Sequence, residues 1–245
     1  MSSAWRIVCL HEVGSTNDVA SLAGEWGIGE RLAIFAELQT AGRGRMGRRW
    51  EVPRGRGLIC STLWRPPVPP ELVGGLAQVA GVAAAQALGA MGIAARLKWP
   101  NDVLLGEAKC GGILIESALE AGRTRYAVVG VGLNVLQAAA ELPPAPYPAT
   151  SIWLATGRRL DRAELAARLL DMLLERYAEW LDDPRRVFEA WRGALATLGR
   201  RVELVGSNGS FFGEALDVEP DGALVVRLDG GWIERVVSGE VSVRA

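Results

Sequence analysis

Histidine and cysteine are scarce in this chain of 245 residues, which has one histidine, His11, and three cysteines. Histidine is the commonest metal ligand and the usual base of a nucleophilic triad. A histidine-rich zinc site is therefore excluded, and a Ser-His-Asp triad would have to be built around His11. Cys9, Cys60 and Cys110 are widely spaced, lie in apolar stretches and form no C-x-x-C pair. We expect three buried, reduced thiols and no structural metal site.

Long apolar runs and an excess of one charge are also missing. No uninterrupted apolar run approaches the ~20 residues that span a bilayer, and the first residues lack the basic-then-apolar pattern of an export signal. The 27 basic and 28 acidic residues leave a net charge of -1, which argues against a general polyanion binder. We therefore expect a cytoplasmic protein that contacts neither membrane nor DNA.

The apolar pattern divides the chain into two parts. Up to residue 198, strand-like segments alternate with helical ones, which predicts an α/β layer. The predicted strands cover residues 5–10, 32–38, 58–64, 95–99, 113–117 and 126–131, and the predicted helices begin near residue 15 and cover 71–91, 161–181 and 184–198. After residue 200, five short strands alternate with Gly, Asn and Asp turns, which predicts a small β-barrel. We predict two domains, 1–198 and 199–245.

Arginine and glycine are concentrated in residues 42–50, which read Gly-Arg-Gly-Arg-Met-Gly-Arg-Arg-Trp and which we call the arginine loop. Glycine lets a backbone approach a ligand closely, while arginine offers planar, charged donors that suit phosphate and carboxylate. The loop joins two predicted strands. It is typical of an anion-binding loop, and equally of a solvated or nucleic-acid-binding one.

Four further segments place polar residues or glycines at the ends of predicted elements. They cover residues 14–18, 98–102, 109–113 and 130–134, the second of which reads Lys-Trp-Pro-Asn-Asp. Ser15, followed three residues later by Asp18, predicts a side-chain-capped helix N-terminus whose N–H groups face a ligand. Taken singly, each segment is explained as well by packing or by a turn.

Together and in this order, the segments resemble the biotin protein ligase family, whose members attach biotin to carrier domains of carboxylases. The resemblance runs from about residue 5 to the C-terminus. It implies an α/β (α+β) catalytic domain with a mixed sheet flanked by helices, and a small C-terminal SH3-like β-barrel. It also implies the monofunctional type of enzyme, because the catalytic pattern begins by Trp5 and leaves no room for an N-terminal DNA-binding domain.

The resemblance implies roles for individual residues. Ser15, Thr16, Asn17 and Gln39 would hold the ureido group of biotin and its surroundings. The implied catalytic residues are Lys109, near the biotin carboxylate and the α-phosphate, and Arg43 and Arg45 in a loop that closes over the ligand. The other implied cofactor-binding residues are Gly42, Gly44, Trp50, Asn101, Asp102, Gly112, Asn134 and Arg244. No metal ligand is implied.

The implied reaction has two halves. The biotin carboxylate attacks the α-phosphorus of ATP and expels pyrophosphate, and a carrier lysine then attacks the mixed anhydride and expels AMP. The carboxylate is already ionised at neutral pH, so the first half needs compensation of charge by arginine, lysine and Mg²⁺, and no base. Asp102 is the nearest helper for deprotonating the carrier lysine. Because glycine is costly to order, we expect the arginine loop to be mobile when empty.

One departure from the family pattern and several alternatives stay open. Met46 stands where family loops often carry another arginine, so the loop is expected to close less tightly. A lipoate-attaching ligase is the nearest alternative, because it uses the same overall reaction on a related architecture. A nucleic-acid-binding module and a biotin sensor without catalysis are the others. Some family members pair through sheet edges, so a homodimer is also an open prediction.

Overall fold

Two β-sheets organise the chain. The computed structural model describes residues 5–143, 148–206, 209–237 and 239–243. The larger sheet has seven strands in the order β1-β2-β3-β7-β6-β5-β4. These are β1 (Arg6–Leu10), β2 (Leu32–Ala36), β3 (Gly57–Trp64), β4 (Arg96–Lys98), β5 (Asp102–Leu105), β6 (Ala108–Glu120) and β7 (Arg123–Asn134). The pair β1–β2 is parallel and the other pairs are antiparallel, which confirms the predicted mixed sheet.

Helices cover both faces of this sheet. They are α1 (Thr16–Glu25), α2 (Leu76–Ala90), α3 (Ile152–Thr156), α4 (Arg162–Asp182) and α5 (Pro184–Ala194). Successive side chains of a strand point to opposite faces. In β7, Val128 accordingly packs with Ala20 of α1 on one face, whereas Val129 belongs to the larger core that contains α2, α4 and α5 on the other. The predicted helix-flanked layer is thereby confirmed.

Helix α2 is apolar because it lies inside the larger core. With the preceding 3₁₀ segment it forms the stretch Pro70–Ala90, which is long and apolar enough to cross a membrane by length and composition. Within the protein, 61% of that window is buried. A helix at the centre of a folded core passes the same composition test, so this stretch is weak evidence for a membrane span.

The C-terminal part forms a second, antiparallel sheet of five strands in the order β11-β10-β9-β8-β12. The strands are β8 (Arg201–Gly206), β9 (Gly209–Val218), β10 (Leu224–Leu228), β11 (Ile233–Val236) and β12 (Glu240–Val243). Val202, Ala215 and Leu224 of this sheet are fully buried in the same core as the larger sheet. The predicted small C-terminal β unit is confirmed, while the domain boundary at residue 198 stays a prediction.

The smaller sheet docks on the segment 98–102. The Trp99 indole is fully buried, and its Nε1 donates to the Gly222 carbonyl at 2.8 Å. The Trp99 amide donates to Thr197 Oγ1 at 2.9 Å, and Gln78 Nε2 of α2 donates to the Pro220 carbonyl at 3.0 Å. The turn that follows β4 is therefore held from behind by the C-terminal sheet.

Three details differ from the sequence predictions. Strand β5 and helix α3 were not predicted, because each is only four or five residues long. The prediction that Cys9 is buried is wrong, because β1 is an edge strand and most of its side chains are exposed. Cys60 and Cys110 are buried as predicted. Burial raises the pKa of both thiols, that of Cys110 to about 12.

The three cysteines should therefore differ in reactivity. We expect Ellman's reagent to label Cys9 rapidly in the folded protein, and Cys60 and Cys110 only after denaturation, because the thiolate is the reacting species and burial suppresses it. The Cys9→Ser variant is the control and should lose the rapid phase. A second rapid thiol in the folded protein would contradict this assignment of the core.

Candidate functional site

A cavity of about 170 Å³ lies where the arginine loop covers the larger sheet. Most of the residues that the sequence predicts for the site line it: Ser15, Thr16, Asn17, Gln39, Arg43, Gly44, Arg45, Trp50, Asn101, Asp102, Lys109 and Gly112. Gly239, just before β12, also lines it, so the C-terminal sheet closes part of the wall. The fold thus brings together segments that are far apart in the sequence.

One end of the cavity is a network of mainly neutral hydrogen-bonding groups, which we call the polar end. The amide and the hydroxyl of Thr16 both donate to Gln39 Oε1, at 2.7 and 2.9 Å. Ser61 Oγ lies 2.6 Å from both Thr16 Oγ1 and Asn17 Oδ1. Asn17 Nδ2 donates to Glu116 Oε2 at 2.7 Å. These contacts fix the direction in which each amide and hydroxyl points.

The polar end is built on the N-terminus of α1. Ser15 occupies the N-cap position in an extended conformation, so the predicted helix start is confirmed. The predicted side-chain cap is wrong, because Ser15 makes no such hydrogen bond. Gln39 accepts from the Thr16 amide, and the Asp18 carboxylate is engaged by Arg43. Ser15 and Asp18 thus form no capping box: Ser15 lines the cavity, and Asp18 contacts the arginine loop.

The other end, which we call the cationic end, is organised by one carboxylate. Lys109 Nζ lies 2.5 Å from Asp102 Oδ1, and Lys98 Nζ lies 3.6 Å from Asp102 Oδ2. Burial lowers the pKa of Lys98, and the charge of Asp102 opposes that shift. Further cations of the arginine loop line the same cavity: Arg45, Arg48 and Arg49. Positive charge therefore exceeds negative charge at this end.

The backbone of Lys109 is pinned from both sides. Its amide donates to the Pro148 carbonyl at 2.8 Å, and its carbonyl accepts from the Thr150 amide at 2.8 Å. Beside it, a Cβ on Gly112 would make ordinary contacts, at 3.7 Å from Lys109 Nζ and 3.8 Å from the Asn101 carbonyl oxygen. The Asn101 side chain donates to the Ile113 carbonyl at 2.6 Å and ties the turn to β6.

Arg43 belongs to the polar end of the cavity. Its Nη1 and Nη2 donate to the two oxygens of Asp18 at 3.0 and 2.6 Å, and Nη2 also donates to Glu116 Oε1 at 3.1 Å. The hydrogen bond to Asp18 is the main cause of a raised pKa of Arg43. Both Nη atoms of Arg43 therefore donate to carboxylates.

Hydrogen bonds within the arginine loop give it a closed form. The Trp50 amide donates to the Gly42 carbonyl at 2.9 Å, and the Gly44 amide donates to the Arg48 carbonyl at 2.7 Å. Met46, at the tip, is exposed and has φ 56°, in the left-handed region. Gly42 does not line the cavity, and a Cβ there would collide with the Trp50 carbonyl and lie 2.8 Å from Gln39 Nε2. Only glycine fits at that position.

Besides Gly42, two further predicted residues are not among those that line the cavity. Asn134 does not line it, since its Nδ2 donates to the Thr150 carbonyl at 3.0 Å and its Oδ1 accepts from Gln137 at 2.7 Å. Arg244 lies outside the described residues. In the part of the chain that the structure describes, no group of three His, Cys, Asp or Glu side chains could hold a metal ion.

Sequence reasoning missed several residues of the wall: Arg48, Arg49, Ile59, Cys60, Ser61, Lys98, Pro100, Ile113, Leu114, Gly130, Val131, Gly132 and Gly239. Some stand inside segments that were singled out. A Cβ on Gly130 would lie 2.5 Å from Asn17 Oδ1, and one on Gly132 would lie 2.5 Å from Trp50 Nε1. The Gly-x-Gly spacing was the signal for that close approach. Ser61 gave no signal, because it is a single serine in an apolar strand.

Comparison with known proteins agrees with this arrangement. Residues 13–134 match the Biotin/lipoate A/B protein ligase family, and residues 197–244 match the Biotin protein ligase C terminal domain. The chain is 35% identical over 249 residues to a biotin--[acetyl-CoA-carboxylase] ligase of Mycobacterium tuberculosis, a match that covers 98% of this chain and 90% of that protein. The chain belongs to the biotin protein ligase family.

Other ligases show the same relationship. The match to the bifunctional ligase/repressor BirA of Bacillus subtilis has 32% identity and covers 87% of this chain, but only 66% of that longer protein. Among solved structures, a biotin protein ligase from Aquifex aeolicus in complex with biotin and ATP superposes with a TM-score of 0.81 and 31% identity, over 98% of each chain. The family resemblance and the fold class predicted from the sequence are thereby confirmed.

The tight contact at Gly42 leads to a test of the loop geometry. We expect Gly42→Ala to displace the Trp50 carbonyl and to weaken the hydrogen bond from the Trp50 amide to residue 42. Hydrogen exchange of that amide should become faster by about tenfold, which corresponds to roughly 1.4 kcal/mol of local stability. Gly44→Ala is the matched control, because Gly44 is extended and a Cβ there would lie 3.6 Å from the Arg48 carbonyl. Equal exchange in the two variants would contradict the described loop.

Proposed function

We propose that this chain activates biotin as biotinoyl-5′-AMP with ATP, and then transfers the biotinyl group to a specific lysine of a biotin carboxyl carrier domain of a carboxylase. The observation that carries the proposal is the division of one cavity into a polar end and a cationic end. Biotin is divided in the same way, into an uncharged ureido ring and a carboxylate. The bound biotin and ATP of the Aquifex aeolicus ligase support the same ligands.

The polar end suits the ureido ring because it offers donors and acceptors at fixed positions. Ser15, Thr16, Asn17 and Gln39 would hold this part of biotin, and Ser61 keeps the Thr16 and Asn17 side chains in place. Neutral donors and acceptors bind an uncharged polar group without leaving a buried charge unpaired. Gly130 and Gly132 keep the opposite wall free of side chains, and Trp50 supplies an aromatic surface at the loop.

The cationic end suits the meeting of two anions. The attack of a carboxylate on a phosphate is opposed by electrostatic repulsion, and preorganised cations lower that barrier. Lys109 and Arg45 are the proposed catalytic residues here, with Asn101 holding the turn and Gly112 leaving room for the intermediate. Lys98 and Arg48 add positive charge to the same wall. The cofactor-binding roles that the resemblance implies for Asn134 and Arg244 stay predictions.

Mg²⁺ is part of the proposed reaction as the counter-ion of ATP. Protein-bound Mg²⁺ is usually held by one or two carboxylates together with substrate phosphates. Asp102 is the one carboxylate among the described residues that line the cavity, and two lysines already neutralise it. The residues present do not fit a protein-held magnesium site, so we derive no step through a resident metal ion.

The second half of the reaction needs a carrier lysine that has lost its proton. Asp102 is the proposed helper, since its Oδ1 atom lies against Lys109 at the cationic end. In this step the lysine nitrogen bonds to the acyl carbon, the bond from that carbon to the phosphate oxygen breaks, and AMP leaves. The lysine proton passes to Asp102 or to solvent.

The proposed partner and location follow from the same reaction. The reaction needs ATP and an unmodified carrier domain, and we propose that the chain works in the cytoplasm, on a protein and not on DNA. Pairing of many arginines with acids supports the absence of a DNA-binding surface, for example Arg54 with Glu12 and Arg201 with Asp229. A homodimer formed through a sheet edge stays a prediction.

The direct test is mass spectrometry of a purified carrier domain after incubation with this protein, ATP, Mg²⁺ and biotin. We expect one added biotinyl group per carrier, and none without ATP. The Lys109→Ala variant should form the product at least about 100-fold more slowly, in line with the loss of one preorganised donor at a developing charge. Addition of lipoate in place of biotin under matched conditions, or no mass change with either acid, would overturn the proposal.

A further inference from the structure

Arg43 contacts two carboxylates from two different elements of the fold, and these contacts define its role. We propose that Asp18 and Glu116 are positioning residues that anchor the arginine loop over the polar end of the cavity through Arg43. The identity of the ligand beneath the loop, the ureido part of biotin, rests on the proposed function. The anchor itself rests only on the geometry of the chain.

The geometry is that of a planar fork between two acceptors. Asp18, in the first turn of α1, accepts two hydrogen bonds from Arg43, at 3.0 and 2.6 Å. Glu116, in β6, accepts from Nη2 at 3.1 Å to Oε1 and 3.3 Å to Oε2. Bidentate pairing of guanidinium with carboxylate restricts orientation more than a single contact does. The start of the loop is thereby tied to both the helix and the sheet.

Glu116 also ties the loop to the ligand-facing amide of Asn17. A carboxylate only accepts hydrogen bonds, so the group that Asn17 turns toward Glu116 is its Nδ2, at 2.7 Å. Asn17 Oδ1 then faces Ser61 Oγ at 2.6 Å. Because Arg43 and Asn17 both donate to Glu116, a shift of the Arg43 guanidinium also disturbs the hydrogen bond between Asn17 and Glu116. Loop closure and the orientation of Asn17 depend on the same side chain.

The balance of charge separates this role from that of the cationic end. Because the Arg43 guanidinium is paired with both Asp18 and Glu116, its positive charge is already compensated within the protein and does not serve a phosphate or a carboxylate of the ligand. Arg45 and Arg48 of the same loop also line the cavity, as do Lys98 and Lys109. The proposal gives Arg43 a positioning role in place of the charge-compensating role that the family resemblance implies.

The first test uses hydrogen exchange of the ligand-free protein and needs no ligand. We expect the amides of residues 42–50 to exchange about three- to tenfold faster in Asp18→Asn and in Glu116→Gln, which keep the shape of each side chain and remove its charge. Glu12→Gln is the matched control, because the Glu12–Arg54 pair, at 2.5 Å, is a similarly exposed ion pair that does not line the cavity. Unchanged loop exchange in both test variants would overturn the anchor.

The second test follows the release of bound biotin from the same variants. We expect faster release in Asp18→Asn, and no further acceleration when this change is added to Arg43→Gln, because Asp18 acts only through Arg43. Non-additivity of this kind identifies residues that share one interaction. Equal acceleration in the wild-type and Arg43→Gln backgrounds would overturn the positioning role. Absence of biotin binding by the wild-type protein would instead remove the proposed function, and the exchange experiment would still decide the anchor.

Discussion

Asp102 shared between two lysines is the interaction on which the cationic end depends. Lys98 is only 8% exposed, and a buried ammonium group is strongly destabilising without a nearby counter-charge. Asp102 provides that charge and holds Lys109 at its other oxygen. The segment 98–102 can carry this cluster because Trp99 is fixed to the C-terminal sheet and Asn101 to β6. The small sheet is thus part of the support of the site.

The arginine loop contributes side chains to a cavity whose two ends differ in their electrostatic character. Arg43 meets two carboxylates at the polar end, while the arginines that follow it line the same cavity as Lys98 and Lys109. A chain with a net charge near zero can still hold a strongly cationic site, because most arginines elsewhere are paired with acids. A local cationic site therefore does not require a surface that binds polyanions.

Much of the fold and part of the site could be predicted from the sequence. Strands such as β2 and β3 are short apolar runs bounded by turn residues, and the turns after residue 200 mark the C-terminal strands. Motif segments located Lys109, Asp102 and the α1 N-terminus. The order of strands depends on contacts between distant segments, so no single segment indicated that β1 is an edge strand. The exposure of Cys9 on that strand was missed for this reason. Strand β5 was missed because four residues after a proline turn give little periodic signal.

The unpredicted part of the site depends on side-chain direction. Ser61 faces the cavity because β3 lies next to β7 and beneath α1, a relation that only the folded sheet establishes. Asn134 lies in the segment that was singled out, yet its Nδ2 and Oδ1 atoms are hydrogen-bonded to Thr150 and Gln137. Arg43 and Arg45 are two residues apart in the loop, yet Arg43 pairs with carboxylates of the polar end.

The central claim is that fixed cations at one end of the cavity recognise the carboxylate of the bound acid. It is tested most directly by calorimetric binding of biotin and of its uncharged primary amide to the wild-type protein and to Lys109→Ala. The account predicts that the wild-type protein prefers the acid by about tenfold or more, and that Lys109→Ala reduces this preference by weakening the binding of the acid alone. Equal affinity of the wild-type protein for the acid and the amide, or the same preference in both proteins, would contradict it.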